Sequence, residues 1–482
     1  MMLKFKNTYK SLGDMFISPF QPSDTPSPEL LHANSDLAKA FHLNDADLRS
    51  AEFAQKCTLN QFFEGSSPVA TAYAGHQFGH FVPQLGDGRA VLLGDVVDKD
   101  GQSWEFQVKG SGPTYFSRGF DGRAVLRSTI REYLCSEAMH GLGVPTTRSL
   151  ALFKSPLPVQ REQLESAALL VRLAESHVRF GTFEYFYYQG KYEELRLLVD
   201  FVISNYFAHL KDKPDKYALL FDEIVDRTAK LMSYWMAFGF SHGVMNTDNM
   251  SILGLTIDYG PYGFMDDYDP GYICNHSDRE GRYAFNQQPQ IGLWNLNALA
   301  QTFTQFVDHK ELEKSLKSYQ DKYLIYQSEI HYKKFGLFSR TDGDSKLMNQ
   351  FYRLLEENQA DFTCSFRELS NLSLNEEKHR LTDYFVDREG INRWIEDYKR
   401  RIRLESVDNE KRMNYMKRFN PKYVLRNYLA QTAIEKAEKG DYKELDTLFN
   451  ILQAPFDEQE EFSAYAKPSP EWGKTLTISC SS

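Results

Sequence analysis

The chain has 482 residues, enough for two to four domains and a large core without disulfides, which excludes a small stapled scaffold. Lys+Arg of 56 against Asp+Glu of 66 leaves a formal net charge of -10, disfavouring a chain held mainly by nucleic-acid phosphates or an anionic membrane surface. No stretch is apolar enough to span a membrane, and the N-terminus from Met1 to Lys6 lacks a secretory core, so a cytoplasmic location is expected. Five cysteines (Cys57, Cys135, Cys274, Cys364, Cys480), with no CxxC pair, suit a reducing compartment and offer no zinc site.

From about Phe81 to Leu173 the residues read as strands of one antiparallel sheet: 90–96, 104–109, 149–153 and 167–173. Between the last two, Ser155 to Glu162 carries Pro156 and Pro158 and reads as a surface loop. A helix from about Arg123 to Met139 interrupts the sheet, with Leu126, Ile130, Tyr133 and Leu134 on one face. His76 and His80 are placed in a glycine-containing loop without a metal role. Helices follow, one through Leu195, Leu198, Val199, Val202, Tyr206 and Leu210, another through Ile224, Thr228, Leu231, Met232 and Trp235. After about Leu299 the pattern is charged and helical, as at 426–439 and 443–452, and this stretch is expected to pack on the second. The aromatic run Phe183 to Tyr188 reads as core, and the basic cluster Lys399 to Arg403, interleaved with acids further on, as a solvated face. The division expected is 1–175 for the sheet-rich lobe, 176–300 for a helical lobe and 301–482 for a helical extension.

The densest polar constellation runs from His242 to Gly260, where Asp248-Asn249 and Asp258-Tyr259-Gly260 flank an apolar run. It reads as a hairpin holding a carboxylate and an amide oxygen near one point. Asn249 and Asp258 supply hard oxygens suited to Mg²⁺ or Mn²⁺, and Asp248 is placed to accept a proton from a hydroxyl. Upstream, Lys109 ends an apolar strand and precedes a helix bearing Glu132 and Glu137, the order in which kinase-like folds neutralise nucleotide phosphates. Helical spacing favours Glu137 as the lysine's partner and leaves Glu132 open. Gly86-Asp87-Gly88-Arg89 and Gly110-Ser111-Gly112 let backbone N–H groups approach phosphate, while Arg89, Arg118, Arg123, Arg127, Arg131, Arg172 and Arg179 offer phosphate forks or structural ion pairs. Ordinary kinases place the catalytic base two residues after the histidine; here that residue is Val244, which cannot accept a proton.

The chain resembles the selenoprotein O family of kinase-like protein adenylyltransferases through Tyr73 to Gly79, Lys109 to Thr114, Ser117 to Ser128, Arg179 to Glu184, His242 to Gly260 and Asn420 to Asn427. The resemblance implies an α+β, protein-kinase-like two-lobe fold with a helical extension, and ATP bound in reverse so that AMP passes to a Ser, Thr or Tyr hydroxyl of a protein and pyrophosphate leaves. UTP is an alternative donor. It implies nucleotide contacts at Gly86, Gly88, Arg89, Lys109, Asp121, Gly122, Arg172 and Arg179, Glu132 as partner of Lys109, Asp248 as base, and Asn249 and Asp258 as metal ligands. Under it Val244 is an expected feature. Cys480 stands where some family members carry selenocysteine, and a reversible Cys274–Cys480 disulfide is an expectation. The rivals are a small-molecule phosphotransferase and a non-catalytic nucleotide-binding scaffold.

Overall fold

The computed structural model describes residues 3–478, so Cys480 lies outside the described residues. Strands β1 (Ile17–Pro19), β2 (Glu29–Ala33), β3 (Val69–Thr71), β6 (Ala90–Val97), β7 (Ser103–Lys109), β8 (Ala124–Val125), β9 (Arg148–Gln160) and β10 (Leu164–Ala174) form one sheet. Its order is β1-β3-β6-β7-β10-β9-β2, with β8 paired to β10. Every pairing is antiparallel. Two short hairpins stand apart: β4 (Gly75–Gln77) with β5 (His80–Val82), and β11 (Phe240–Ser241) with β12 (Gly263–Phe264).

The central strands are near-continuous apolar runs because both faces of the sheet are covered. Leu92, Leu152 and Leu170 point into a core shared with the Leu126–Gly141 helix. Val91, Leu93, Phe106, Val108, Leu169 and Val171 point the other way, onto Phe41 and Phe53. Phe53 comes from the Ala51–Cys57 helix and Phe41 from the turn just after the Ser35–Lys39 helix, and the entries of these helices are set by Ser50 and Asn34, each side chain capping a backbone N–H.

The stretch expected as a surface loop from Ser155 continues β9 to Gln160 and turns directly into β10. The prolines fit because β2 reaches only Lys154, so β9 beyond it is an outer edge where a missing N–H breaks no ladder bond. Asp121 to Leu126, which repeats the residues Asp87 to Leu92, passes through the two-residue strand β8, so the helix expected from about Arg123 begins at Leu126. His76 and His80 lie in the β4–β5 hairpin, not in a loop. The helices Tyr192–Tyr206 and Lys216–Ala237 match the second expected stretch, with Leu210 in a separate 3₁₀ turn. The helices Asn427–Glu438 and Lys443–Gln453 pack against the Leu126–Gly141 helix of the first stretch, inside the same apolar core as Lys216–Ala237. Among the described residues, no helix is long and apolar enough to cross a membrane.

Candidate active site

Three buried cations converge on one carboxylate. Lys109, the last residue of β7, places Nζ 2.5 Å from Glu132 Oε2 and 3.8 Å from Asp258 Oδ1. Arg172, near the end of β10, donates from one terminal nitrogen to Glu132 Oε1 at 2.9 Å and to Asp258 Oδ1 at 2.5 Å, while its Nε holds Gln107 at 2.7 Å. Arg179 donates to Asp258 Oδ2 and, at 2.7 Å, to the Asp248 carbonyl, and its guanidinium stacks 4.7 Å from the Tyr73 ring. Burial alone raises the Asp258 pKa, but Arg179, Arg172 and Lys109 override it and hold the carboxyl well below the usual range. Burial likewise lowers the Lys109 pKa, opposed by Glu132 and Asp258.

Glu132, not Glu137, is therefore the lysine's partner. Glu137 is equally buried but accepts from Arg148, Asn34 and the Ser149 N–H, fastening the helix to β9 and to the residue that follows β2. The helix is covered on opposite sides, so an apolar stripe does not say which glutamate meets the lysine.

The segment from His242 to Gly260 is not a regular hairpin. Thr247–Asn249 forms a 3₁₀ turn, Ser251 bridges to Arg179, and Thr256 bridges to Thr146. His242 stacks on Trp235, with Nε2 2.9 Å from the Ile257 carbonyl, which fixes the backbone just before Asp258. Asp258 then takes a left-handed conformation (φ 57°) that turns its carboxylate toward the cations. Asn249 donates from Nδ2 to the Val244 carbonyl at 3.0 Å, so the valine in the usual base position supplies a backbone anchor.

Asp248 is 7% exposed, and Oδ1 has no hydrogen-bond partner. Oδ2 has only a long contact of 3.4 Å from Gln77 Nε2 on β4. Burial raises its pKa to about 7, against the opposing pull of Arg179. The hairpin presses on it closely: a Cβ on Gly75 would stand 2.5 Å from Oδ1. Glu184 ties hairpin and turn together, accepting from Thr247 and meeting His76 Nδ1 at 2.6 Å, while the His76 N–H reaches Thr247 Oγ1 at 2.7 Å.

Gly86 and Gly88 lie on the loop before β6, packed against Phe116. Between them Asp87 accepts from Thr71 and Gln107 and stands 4.0 Å from Arg179, which joins the loop to the cluster. Arg89 is exposed and borders one cleft with Lys109, Ser128, Glu132, Tyr259 and Gly260. Asp121 and Gly122 are not bonded to the cluster: Asp121 is clamped by Arg161 at 2.7 and 2.9 Å, and Gly122 packs on the Gly112 carbonyl. Of the other arginines singled out, Arg123 binds Ser23, Asp24 and Thr25, Arg127 pairs with Glu165, and Arg131 stacks on Tyr262, so these are structural. Arg118 is exposed. Gln77, Gln107 and Thr247 had no sequence signal of their own; they are recognised only by the carboxylates they meet.

The arrangement, a cluster of fixed cations around one ionised carboxylate with a second, proton-accepting carboxylate beside it, is suited to moving charged phosphoryl groups. A family model described as protein adenylyltransferase SelO matches residues 1–453. The proteins called protein nucleotidyltransferase YdiU in Aliivibrio fischeri (strain MJ11) and Myxococcus xanthus (strain DK1622) are 49% and 46% identical, each alignment covering 100% of this chain and 99% of the relative. The chain belongs to the SelO family and is a nucleotidyltransferase.

Proposed function

We propose that the chain transfers AMP from ATP to Ser, Thr or Tyr hydroxyls of other proteins in the cytoplasm, with UTP as an alternative donor. The frame is a kinase-like pair of lobes, 1–175 and 176–300, with 301–482 as an extension. The observation that carries the reading is Asp248: a buried carboxylate with an unpartnered oxygen, one residue from Asn249 and bonded through its own carbonyl to the arginine that holds Asp258. Such a group takes a proton from an incoming hydroxyl near neutral pH. The hydroxyl oxygen bonds to the α-phosphorus, the bond to the bridging oxygen breaks, and pyrophosphate departs.

Lys109, Arg172 and Arg179 hold the phosphates, with Glu132 orienting the first two. Gly86, Gly88, Arg89, Asp121 and Gly122 make up the rest of the nucleotide contacts. Asn249 and Asp258 are hard oxygen donors, and the ionised, partly exposed Asp258 carboxylate fits Mg²⁺ or Mn²⁺. When bound, such a cation offsets charge on the phosphates. Cys274 is a buried thiol, its Sγ 3.4 Å from the Ser241 carbonyl and its pKa pushed up to about 12 by burial, so a regulatory disulfide with Cys480 requires Cys274 to become exposed.

The test is the product formed with α-labelled ATP and a protein acceptor. Pyrophosphate with label on protein supports the reading. Release of ADP supports a phosphotransferase instead, and nucleotide binding without turnover a scaffold.

A further inference from the structure

The β4–β5 hairpin carries a surface that the chemistry at Asp248 does not use. Its turn residue Phe78 is held in a left-handed conformation (φ 49°) while the residue stays 36% exposed. The Phe78 N–H is pinned by Asn246 Oδ1 at 3.1 Å and by the Tyr283 hydroxyl at 3.0 Å, and Tyr283 donates to the same Asn246 oxygen at 2.7 Å. Strain of this kind persists only where surrounding contacts over-determine it. The next residue, Gly79, lies over Arg282, whose guanidinium carbon would stand 3.2 Å from a Cβ there.

Arg282 stacks on Trp294 at 4.8 Å, and Trp294 meets His76 edge-on at 5.3 Å. No carboxylate among the described residues pairs with this guanidinium, and its Nε is buried without an acceptor. Asp278, close in sequence, is used by the Arg282 and Tyr283 backbone N–H groups at 3.0 and 2.7 Å. A planar cation spread on an indole face, edged by exposed aromatic surface, is the composition of a binding hot spot. The residue before Phe78, Gln77, reaches Asp248.

We propose that this face docks the acceptor polypeptide and that Arg282 selects segments carrying Glu or Asp beside the hydroxyl to be modified. The inference rests on the transferase reading above and names its substrate class. The chain's net charge of -10 steers basic partners toward it at long range, so a preference for acidic segments has to come from a local cation. Unlike a bare apolar patch, Arg282 fixes the sign of the partner.

The experiment offers the full chain two synthetic acceptors, a Glu/Tyr copolymer and a Lys/Tyr copolymer, with α-labelled ATP, and follows label on copolymer, label on the chain itself and pyrophosphate. Wild type is expected to label the Glu/Tyr copolymer roughly tenfold faster, the size of one partly desolvated charge pair. Arg282→Gln removes that preference and Arg282→Glu reverses it, with binding of a non-hydrolysable ATP analogue retained as proof of folding. Equal labelling of both copolymers by wild type, an unchanged preference in Arg282→Gln, or self-labelling without labelling of either copolymer overturns the docking proposal and leaves the transferase reading intact. Absence of pyrophosphate and of label on any protein overturns both.

Discussion

Lys109 Nζ lies 2.5 Å from one oxygen of Glu132, and the other oxygen of the same carboxylate takes Arg172 at 2.9 Å. One glutamate thus fixes two cations, one on each of two neighbouring strands of the sheet. Glu132→Gln keeps the volume and removes the charge, so both cations reorient, and transfer is expected to fall about 100-fold, the cost of misplacing a positioning group by an ångström. Glu137→Gln, at a buried residue joined to Arg148 and Ser149, costs roughly 3 kcal/mol of stability by leaving the half-buried Arg148 without its carboxylate, with transfer per folded molecule kept. Urea unfolding beside labelled-ATP kinetics on both variants checks this; the opposite assignment of effects would mean the wrong glutamate has been paired.

That distinction shows where the sequence stops being readable. Lys109 stands out because an apolar strand ends on it, and Asp258 because an apolar run separates it from Asp248-Asn249. Glu132 and Glu137 are 3% and 0% exposed on a helix covered by the sheet on one side and by the helices at 427–453 on the other, so helical period cannot choose between them. The arginines pose a similar problem. Arg172 and Arg123 look alike in sequence, yet one faces Asp258 and the other is tied to the Ser23–Thr25 segment by contacts about a hundred residues apart. Strands β1 and β3, which close one end of the sheet, have three residues each and form because the sheet recruits them, a tertiary effect with no local pattern.

Asp258 is the counter-ion of Arg172, Arg179 and Lys109 together. Asp258→Ala is expected to abolish transfer and to cost about 3–5 kcal/mol in stability, because buried positive charge is left uncompensated. A polyanion then replaces the missing carboxylate. Pyrophosphate should raise the melting temperature of Asp258→Ala more than that of wild type, which differential scanning fluorimetry reads directly. An equal or smaller rise in the variant would show that the arginines do not face the phosphate site.

The raised pKa of Asp248 fixes two pH dependences of opposite sign. As a base it works only when ionised, so transfer should rise with pH and level off above about 7. For stability, the folded state keeps the proton up to about 7 while the unfolded carboxyl loses it near 3.8. The stabilising contribution is therefore full below 3.8 and is lost as pH rises through about 7. Asp248→Asn should accordingly be inactive yet more stable than wild type at pH 8, by on the order of 1–4 kcal/mol, with the difference vanishing toward pH 4. Chemical denaturation of both proteins across that range decides it, and a variant less stable than wild type at pH 8 would mean the carboxylate has a partner that compensates its burial.

Gly75 sets how closely the β4–β5 hairpin rests on that carboxylate. A methyl group on it would stand 2.5 Å from Asp248 Oδ1 and 2.9 Å from its Cβ, and one on Gly181 would run into the Ala74 carbonyl oxygen and stand 3.2 Å from the Asp248 Cα. Gly75→Ala cannot be absorbed by a flexible side-chain end, because Asp248 is held through its own carbonyl by Arg179. The hairpin must lift instead, which loosens the Gln77 contact and admits water to the carboxylate. Water restores the solvation that burial removed, so the pH at which transfer reaches half its maximum should fall below 7 toward the ordinary carboxylate value, while affinity for a non-hydrolysable ATP analogue stays within about twofold. A pH profile of the variant superimposable on that of wild type would show that the hairpin does not govern the proton affinity of Asp248.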